Sequence, residues 1–228
     1  MLNDVKKKWK YFEAFNDTNP VMLGYIPLGM AFGLLYSEID MHWIWAVLMS
    51  VVVYAGSLQL LIVPMLLENA SLVDIAIVAL LLNLRHVFYG LAFIDKFSKI
   101  SFFKKNYMIF GLTDEAYSLL TTSTKALTEN FMFSIILLCH LYWIAGTALG
   151  AFLGHLIPFD LSFLSFSLIS LFIVLTIEQA KRANSIKPFL VAAVSSMLAI
   201  IIFPEYMLIT ALFFAVIYFA LEYNYART

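Results

Sequence analysis

The stretch Leu80-Leu81-Leu82-Asn83-Leu84-Arg85-His86-Val87-Phe88-Tyr89-Gly90 lies inside an apolar run spanning residues 72–94. That length suits the roughly 20 residues a helix needs to cross a bilayer. The same run carries an arginine, a histidine and an asparagine. An arginine at mid-bilayer costs roughly 2.5 kcal/mol or more on insertion scales. Only a partner, water or a ligand offsets that cost, so the first question is what Arg85 meets.

Composition sets the class. Of 228 residues, 63% are hydrophobic and 13% are charged, the latter about half the share usual in soluble domains. Mean hydropathy is +0.90. A soluble fold could not hide so much apolar surface, so an all-α integral membrane protein is expected. The net charge of −1 says nothing about partners, and no nucleic acid is expected among them. The single cysteine, Cys139, excludes an internal disulfide, and no Cys/His metal spacing is present. No metal and no cofactor is therefore expected. Neither a phosphate loop nor a nucleophile elbow occurs, which disfavours an ATP-driven pump or a membrane hydrolase.

Residues 1–19 are polar and basic and read as a cytoplasmic tail. Residues 20–222 read as one transmembrane transporter domain. Eight spans are expected, over 20–37, 43–67, 72–94, 107–124, 131–154, 162–179, 188–203 and 205–221, the last two forming a hairpin around Pro204. The fourth is weak because it carries Asp114 and Glu115, and it either crosses or re-enters. With the N-terminus inside, nine loop lysines and arginines fall on the cytoplasmic side and four outside. The outer four, Lys96, Lys99, Lys104 and Lys105, violate the rule. Similar marks recur in the first and fourth spans and, about thirty residues on, in the second and fifth. They suggest a 3+3 inverted repeat plus the C-terminal hairpin, with helices interrupted near the midplane.

Several residues could carry chemistry. Gly24, Pro27, Gly29 and Gly33 share the first span. Gly29 and Gly33 alone read as a packing pair. Pro27 between glycines favours local unwinding, whose half-helix ends could bind a charged substrate. Arg85 suits a substrate carboxylate or a structural ion pair, with Asp114 or Glu115 as its natural partner. Those two acids are adjacent, so they point about 100° apart on a helix, and only one easily faces Arg85. The other must face water, a cation or a proton path. Tyr89 falls on the same face as Arg85. His86 either titrates or packs with a hydrogen bond, and Asn83 shares its polar stretch. Gln59 is a buried amide after Tyr54-Ala55-Gly56-Ser57, and His140 reads as a satisfied core histidine.

Four marks together point to a family. They are Pro27-Leu28-Gly29-Met30-Ala31-Phe32-Gly33, Tyr54-Ala55-Gly56-Ser57-Leu58-Gln59, Asn83-Leu84-Arg85-His86-Val87-Phe88-Tyr89-Gly90 and Gly111-Leu112-Thr113-Asp114-Glu115-Ala116-Tyr117-Ser118. In content and order they resemble the AzlC family, the large subunit of bacterial branched-chain amino acid exporters, over roughly residues 20–180. The resemblance implies export of valine, leucine, isoleucine and sometimes methionine across the bacterial cell membrane, driven by an ion gradient. It also implies a small AzlD-type membrane subunit as partner. The alternative is a membrane scaffold or assembly subunit whose buried charges are structural.

Overall fold

The computed structural model describes residues 2–98, 100–156 and 185–225, together with positions 173, 176, 177 and 180 between them. The described residues are helices and their connections. They divide into two compact units, Met1–Ile75 with Ala79–Leu161 and Ala76–Val78 with Ser162–Thr228. The expected span over 162–179 lies almost wholly outside the described residues.

Three described helices are long and apolar enough to cross a membrane. They are α1 (Leu2–Tyr36), α4 (Leu72–Ala92) and α8 (Glu129–Leu156). Ser71 starts α4 cleanly, its hydroxyl accepting the Asp74 amide at 3.1 Å. In α8, 56% of the apolar window is buried, against 6% in α4. Thus α8 is the central post, and α4 buries Val78 but exposes Leu72, Leu80, Val87 and Phe88.

The unwinding expected at Pro27 does not occur. Helix α1 runs unbroken through Pro20 and Pro27, so Pro20 is interior and does not start the helix. A proline costs a spanning helix one hydrogen bond, which neighbouring groups can absorb. Gly29 and Gly33 serve packing instead. A Cβ on Gly29 would sit 2.9 Å from the Thr147 nitrogen, and one on Gly146 would sit 2.5 Å from the Ile26 oxygen. Gly33 meets the backbone at Thr147 and Ala151, and Gly150 meets that of Met30. Further along, Gly154 faces Ser37. Positions rise together on both helices, so α1 and α8 run parallel with their backbones in contact.

The expected second and fourth spans are each two half-helices folded back on themselves. The second comprises α2 (Ile44–Val52) and α3 (Gly56–Leu67). Trp43 packs on Phe152 and His42 on His155, near the C-terminus of α8. By Ser50 and Tyr54 the chain has reached His140. Tyr54 then turns it at φ 44°, a left-handed conformation costly for an aromatic residue. Gln59 Nε2 donates back to Ser50 Oγ at 2.9 Å, so α3 returns beside α2.

The fourth mirrors it from the other end, through α6 (Phe102–Phe110) and α7 (Asp114–Thr122), after the single turn α5 (Ile94–Phe97). Lys104 bonds Glu129 at 2.8 Å, at the very start of α8. Tyr107 and Phe110 climb to His140. After the break at Gly111-Leu112-Thr113, α7 descends until Lys125 reaches Asp17 at 2.7 Å. Both ends of the segment therefore lie toward the start of α8 and of the apolar part of α1, the geometry of a segment that turns back. Helix α4 descends alongside, with Arg85 at Asp114 and then Tyr89 and Phe93 at Tyr117. This places Lys104 at the start of α8, the end at which Lys125 meets Asp17, and relieves the charge violation that eight full crossings create there. In single-cysteine variants, positions 104 and 125 are expected to react with an impermeant maleimide from one face of the membrane. Labelling from opposite faces would restore a full crossing.

In the second unit, α9 (Lys187–Ile202) and α10 (Met207–Tyr225) pack as the expected hairpin around a 3-10 turn at Pro204–Tyr206. Lys187 pairs with Glu222 across its open end.

Candidate functional site

The two re-entrant tips meet beside α8. The Tyr54 ring stacks on His140 at 4.2 Å and lies 6.1 Å from Phe110. Two polar braces fix it there. His140 Nε2 reaches the Ser50 carbonyl at 3.2 Å and Nδ1 meets the Tyr107 hydroxyl at 2.9 Å. A carbonyl only accepts, so Nε2–H donates to it and the tyrosine donates to Nδ1. His140 is thus the satisfied core histidine expected. In the second brace, Trp143 Nε1 donates to Gln59 Oε1 at 2.9 Å, and Ser50 Oγ contacts Thr147 Oγ1 at 2.8 Å. Gln59 is fully buried with both ends of its amide engaged. The structure makes it a strut of the first hairpin.

At the second tip, Thr113 caps α7 and the Asp114–Glu115 pair occupies its first turn. Carboxylates there meet the positive end of the half-helix. The two acids diverge as a helix requires. Asp114 Oδ2 pairs with Arg85 through one guanidinium nitrogen. Glu115 turns to α1, where the Tyr25 hydroxyl donates to Oε2 at 2.5 Å and contacts the Thr113 hydroxyl at 2.9 Å. Tyr89, one turn below Arg85, stacks on Tyr117 at 4.6 Å. His86 Nδ1 donates to the Asn83 backbone carbonyl at 3.2 Å, and its ring lies beside Tyr89.

The Arg85–Asp114 pair is incomplete. Arg85 Nε and Asp114 Oδ1 are buried without a hydrogen bond of normal geometry among the described residues, and the Tyr89 hydroxyl lies against the Asp114 carboxylate. A guanidinium that could fork onto a carboxylate makes only one contact. One donor and one acceptor of opposite charge are left facing each other's neighbourhood, which suits a ligand carrying both an anion and a cation.

Arg85, Asp114, Glu115, Tyr89 and His86 are thus brought into one cluster, and Asn83 touches it through its backbone. Gly24 has nothing within 4 Å, and Pro27 is exposed on α1. Sequence reasoning missed Tyr25, Thr113 and the role of Tyr54. Thr113-Asp114-Glu115 after Gly111 is a helix-start signal in mid-segment and marks the break. A separate cavity of about 180 Å³ opens near the C-terminal ends of α1 and α8, lined in part by Tyr36, Ser37, Trp43 and His155. Of the residues named from sequence, only Gly33 borders it.

Comparisons with known proteins agree with the four sequence marks. The family model described as "AzlC protein" matches residues 20–157, which takes in the second half of α1, α2 through α8 and the whole cluster. A Bacillus subtilis protein named "Branched-chain amino acid transport protein AzlC" is 35% identical over 182 residues, 78% of this chain and 71% of that one. A Helicobacter pylori protein described as an uncharacterized membrane protein is 35% identical over 215 residues, 92% of this chain and 93% of its own. The Escherichia coli inner membrane protein YgaZ is 31% identical over 149 residues, 63% of this chain and 61% of that one. No solved structure matches the chain. The match holds through both broken segments and the Arg85–Asp114 pair between them, and by it the chain is a membrane protein belonging to the AzlC family.

Proposed function

We propose that the chain is the large subunit of a secondary transporter that exports branched-chain amino acids from the bacterial cytoplasm. The substrates are valine, leucine, isoleucine and methionine, an ion gradient drives them outward, and a small AzlD-type membrane subunit completes the transporter. The observation that carries this reading is the half-made Arg85–Asp114 pair, with Nε and Oδ1 both buried and neither in a hydrogen bond of normal geometry among the described residues. A zwitterionic amino acid satisfies both, its carboxylate on Arg85 and its ammonium on Asp114. Its aliphatic side chain is left for the apolar walls. The name of the Bacillus subtilis relative supports this substrate class.

Helix α1 is continuous through Pro27, which favours Arg85 over the amides near Gly24–Gly33 as the carboxylate's partner. Lys104 pairs with Glu129 at the start of α8 and Lys125 with Asp17 on α1, toward the basic N-terminal residues, which supports an N-terminus on the cytoplasmic side. Inside-out vesicles from cells expressing the chain are expected to accumulate labelled valine when a proton gradient is imposed. Unlabelled leucine, isoleucine and methionine should compete. Accumulation no greater than in vesicles lacking the chain would refute the proposal.

A further inference from the structure

Glu115 is the acid that substrate binding leaves unused. Asp114 takes Arg85, whereas Glu115 meets only hydroxyls, that of Tyr25 directly and that of Thr113 through it. No lysine or arginine pairs with Glu115 among the described residues. The titratable groups facing it are Tyr25 on α1, Tyr54 at the first break, His86 and Tyr89 on α4, and Cys139 on α8. Arg85 on α4 and Asp114 on α7 complete the set. Arg85 is the only permanent cation among them, and Asp114 neutralises it.

A second observation points to the same place. Tyr54 is 3% exposed, and its hydroxyl lies against Thr113 and near Glu115 without a hydrogen bond of normal geometry among the described residues. A buried hydroxyl left without a well-formed bond costs up to about 1–3 kcal/mol. The backbone around it is held in a left-handed conformation, which is tolerated where the position serves a function. The direct Tyr25–Glu115 contact leaves no gap for an ion between them. Among the described residues no group of three or more His, Cys, Asp or Glu side chains could hold a metal.

We infer that Glu115 is the proton carrier of the transport cycle, with the hydroxyls of Tyr25 and Tyr54 as its alternate partners. The inference rests on the exporter reading. An entering proton converts the Glu115 carboxylate to the acid, whose O–H then donates to a tyrosine oxygen. On release the same proton leaves to water, and the Tyr25 O–H returns to donating to the carboxylate. Neither tyrosine loses its own proton. Protonation removes the one uncompensated negative charge in the cluster, so α7 is held to α1 differently in the two states.

Two measurements test it. Purified full-length chain in lipid vesicles, given a valine gradient, should move protons across the membrane, read with an indicator dye, and the Glu115→Gln variant should not. Equal proton movement by both overturns the inference. In inside-out vesicles, Glu115→Gln should lower gradient-driven valine accumulation at least tenfold more than it lowers valine exchange at equilibrium. Accumulation at the wild-type level, or equal loss of both, overturns it. Should Glu115→Gln fail to reach the membrane, Glu115→Asp and Tyr54→Phe replace it. Each should shift the pH midpoint of accumulation, and an unshifted midpoint in both overturns the inference. Wild-type vesicles with neither exchange nor accumulation would refute the exporter reading, whereas wild-type transport left unchanged in Glu115→Gln would overturn the inference alone.

Discussion

Asp114→Asn is expected to abolish valine transport, by about a hundredfold or more, while protein still reaches the membrane. Asparagine keeps the shape of aspartate and the Thr113 cap that starts α7. It loses the charge that holds Arg85 and, in an exporter, the substrate ammonium. Arg85→Ala should fall as far, since it removes the only permanent cation in the cluster. Loss of a hydrogen-bonded charge partner is commonly worth about 2–5 kcal/mol, which spans roughly thirty- to several-thousand-fold. A single variant confounds transport with folding, because it strands its partner in an apolar setting. The double variant Arg85→Leu/Asp114→Leu separates them, since it removes both charges together. Restored protein levels without transport are expected, measured as valine accumulation per folded chain. Restored transport would mean that the pair only locks α4 to α7 and that the scaffold reading is correct.

Gly150→Val is the second large effect, and it acts on folding. A side chain at Gly150 runs into the backbone of Met30. Overpacking typically costs about 1–3 kcal/mol when side chains can adjust. Here the obstacle is main chain, so α1 and α8 must separate along the whole Gly29/Gly33–Gly146/Gly150 contact. A loss of about 3 kcal/mol or more is expected, read as a large drop in the melting temperature of detergent-purified protein. Gly24→Val is the control, because nothing lies within 4 Å of that position. Equal stability of the two variants would show that the interlock does not hold the fold.

Length and hydropathy made α4 and α8 legible, to within two residues at each end. The cost of a buried arginine made the partnership of Arg85 with the Asp114–Glu115 pair legible, and helix geometry correctly gave the arginine only one of them. The re-entrant segments were harder. Twenty-five apolar residues from 43 to 67 have the same composition whether they cross or fold back at Tyr54. The fold-back depends on contacts of Ser50, Tyr54 and Gln59 with α8, residues about ninety positions away. Pro27 misled because a proline breaks a helix in water more readily than in a protein core. The packing role of Gly29 and Gly33 needed the matching spacing of Gly146, Gly150 and Gly154, visible in the sequence but meaningful only once α1 and α8 are known to touch.

Where two main chains touch through glycines, there are no side chains to change rotamer, and hence no way for the pair to slip by a notch. Moving α1 along α8 by one residue would bring the Met30 carbonyl against a Cβ. The α1–α8 pair is therefore a keyed joint with one setting. The alternating access of the proposed exporter needs two settings, so its motion would fall to other elements, such as α4, with only 6% of its apolar window buried. In that reading α1 and α8 form the fixed frame, and the Arg85–Asp114 contact is where a moving α4 would meet it.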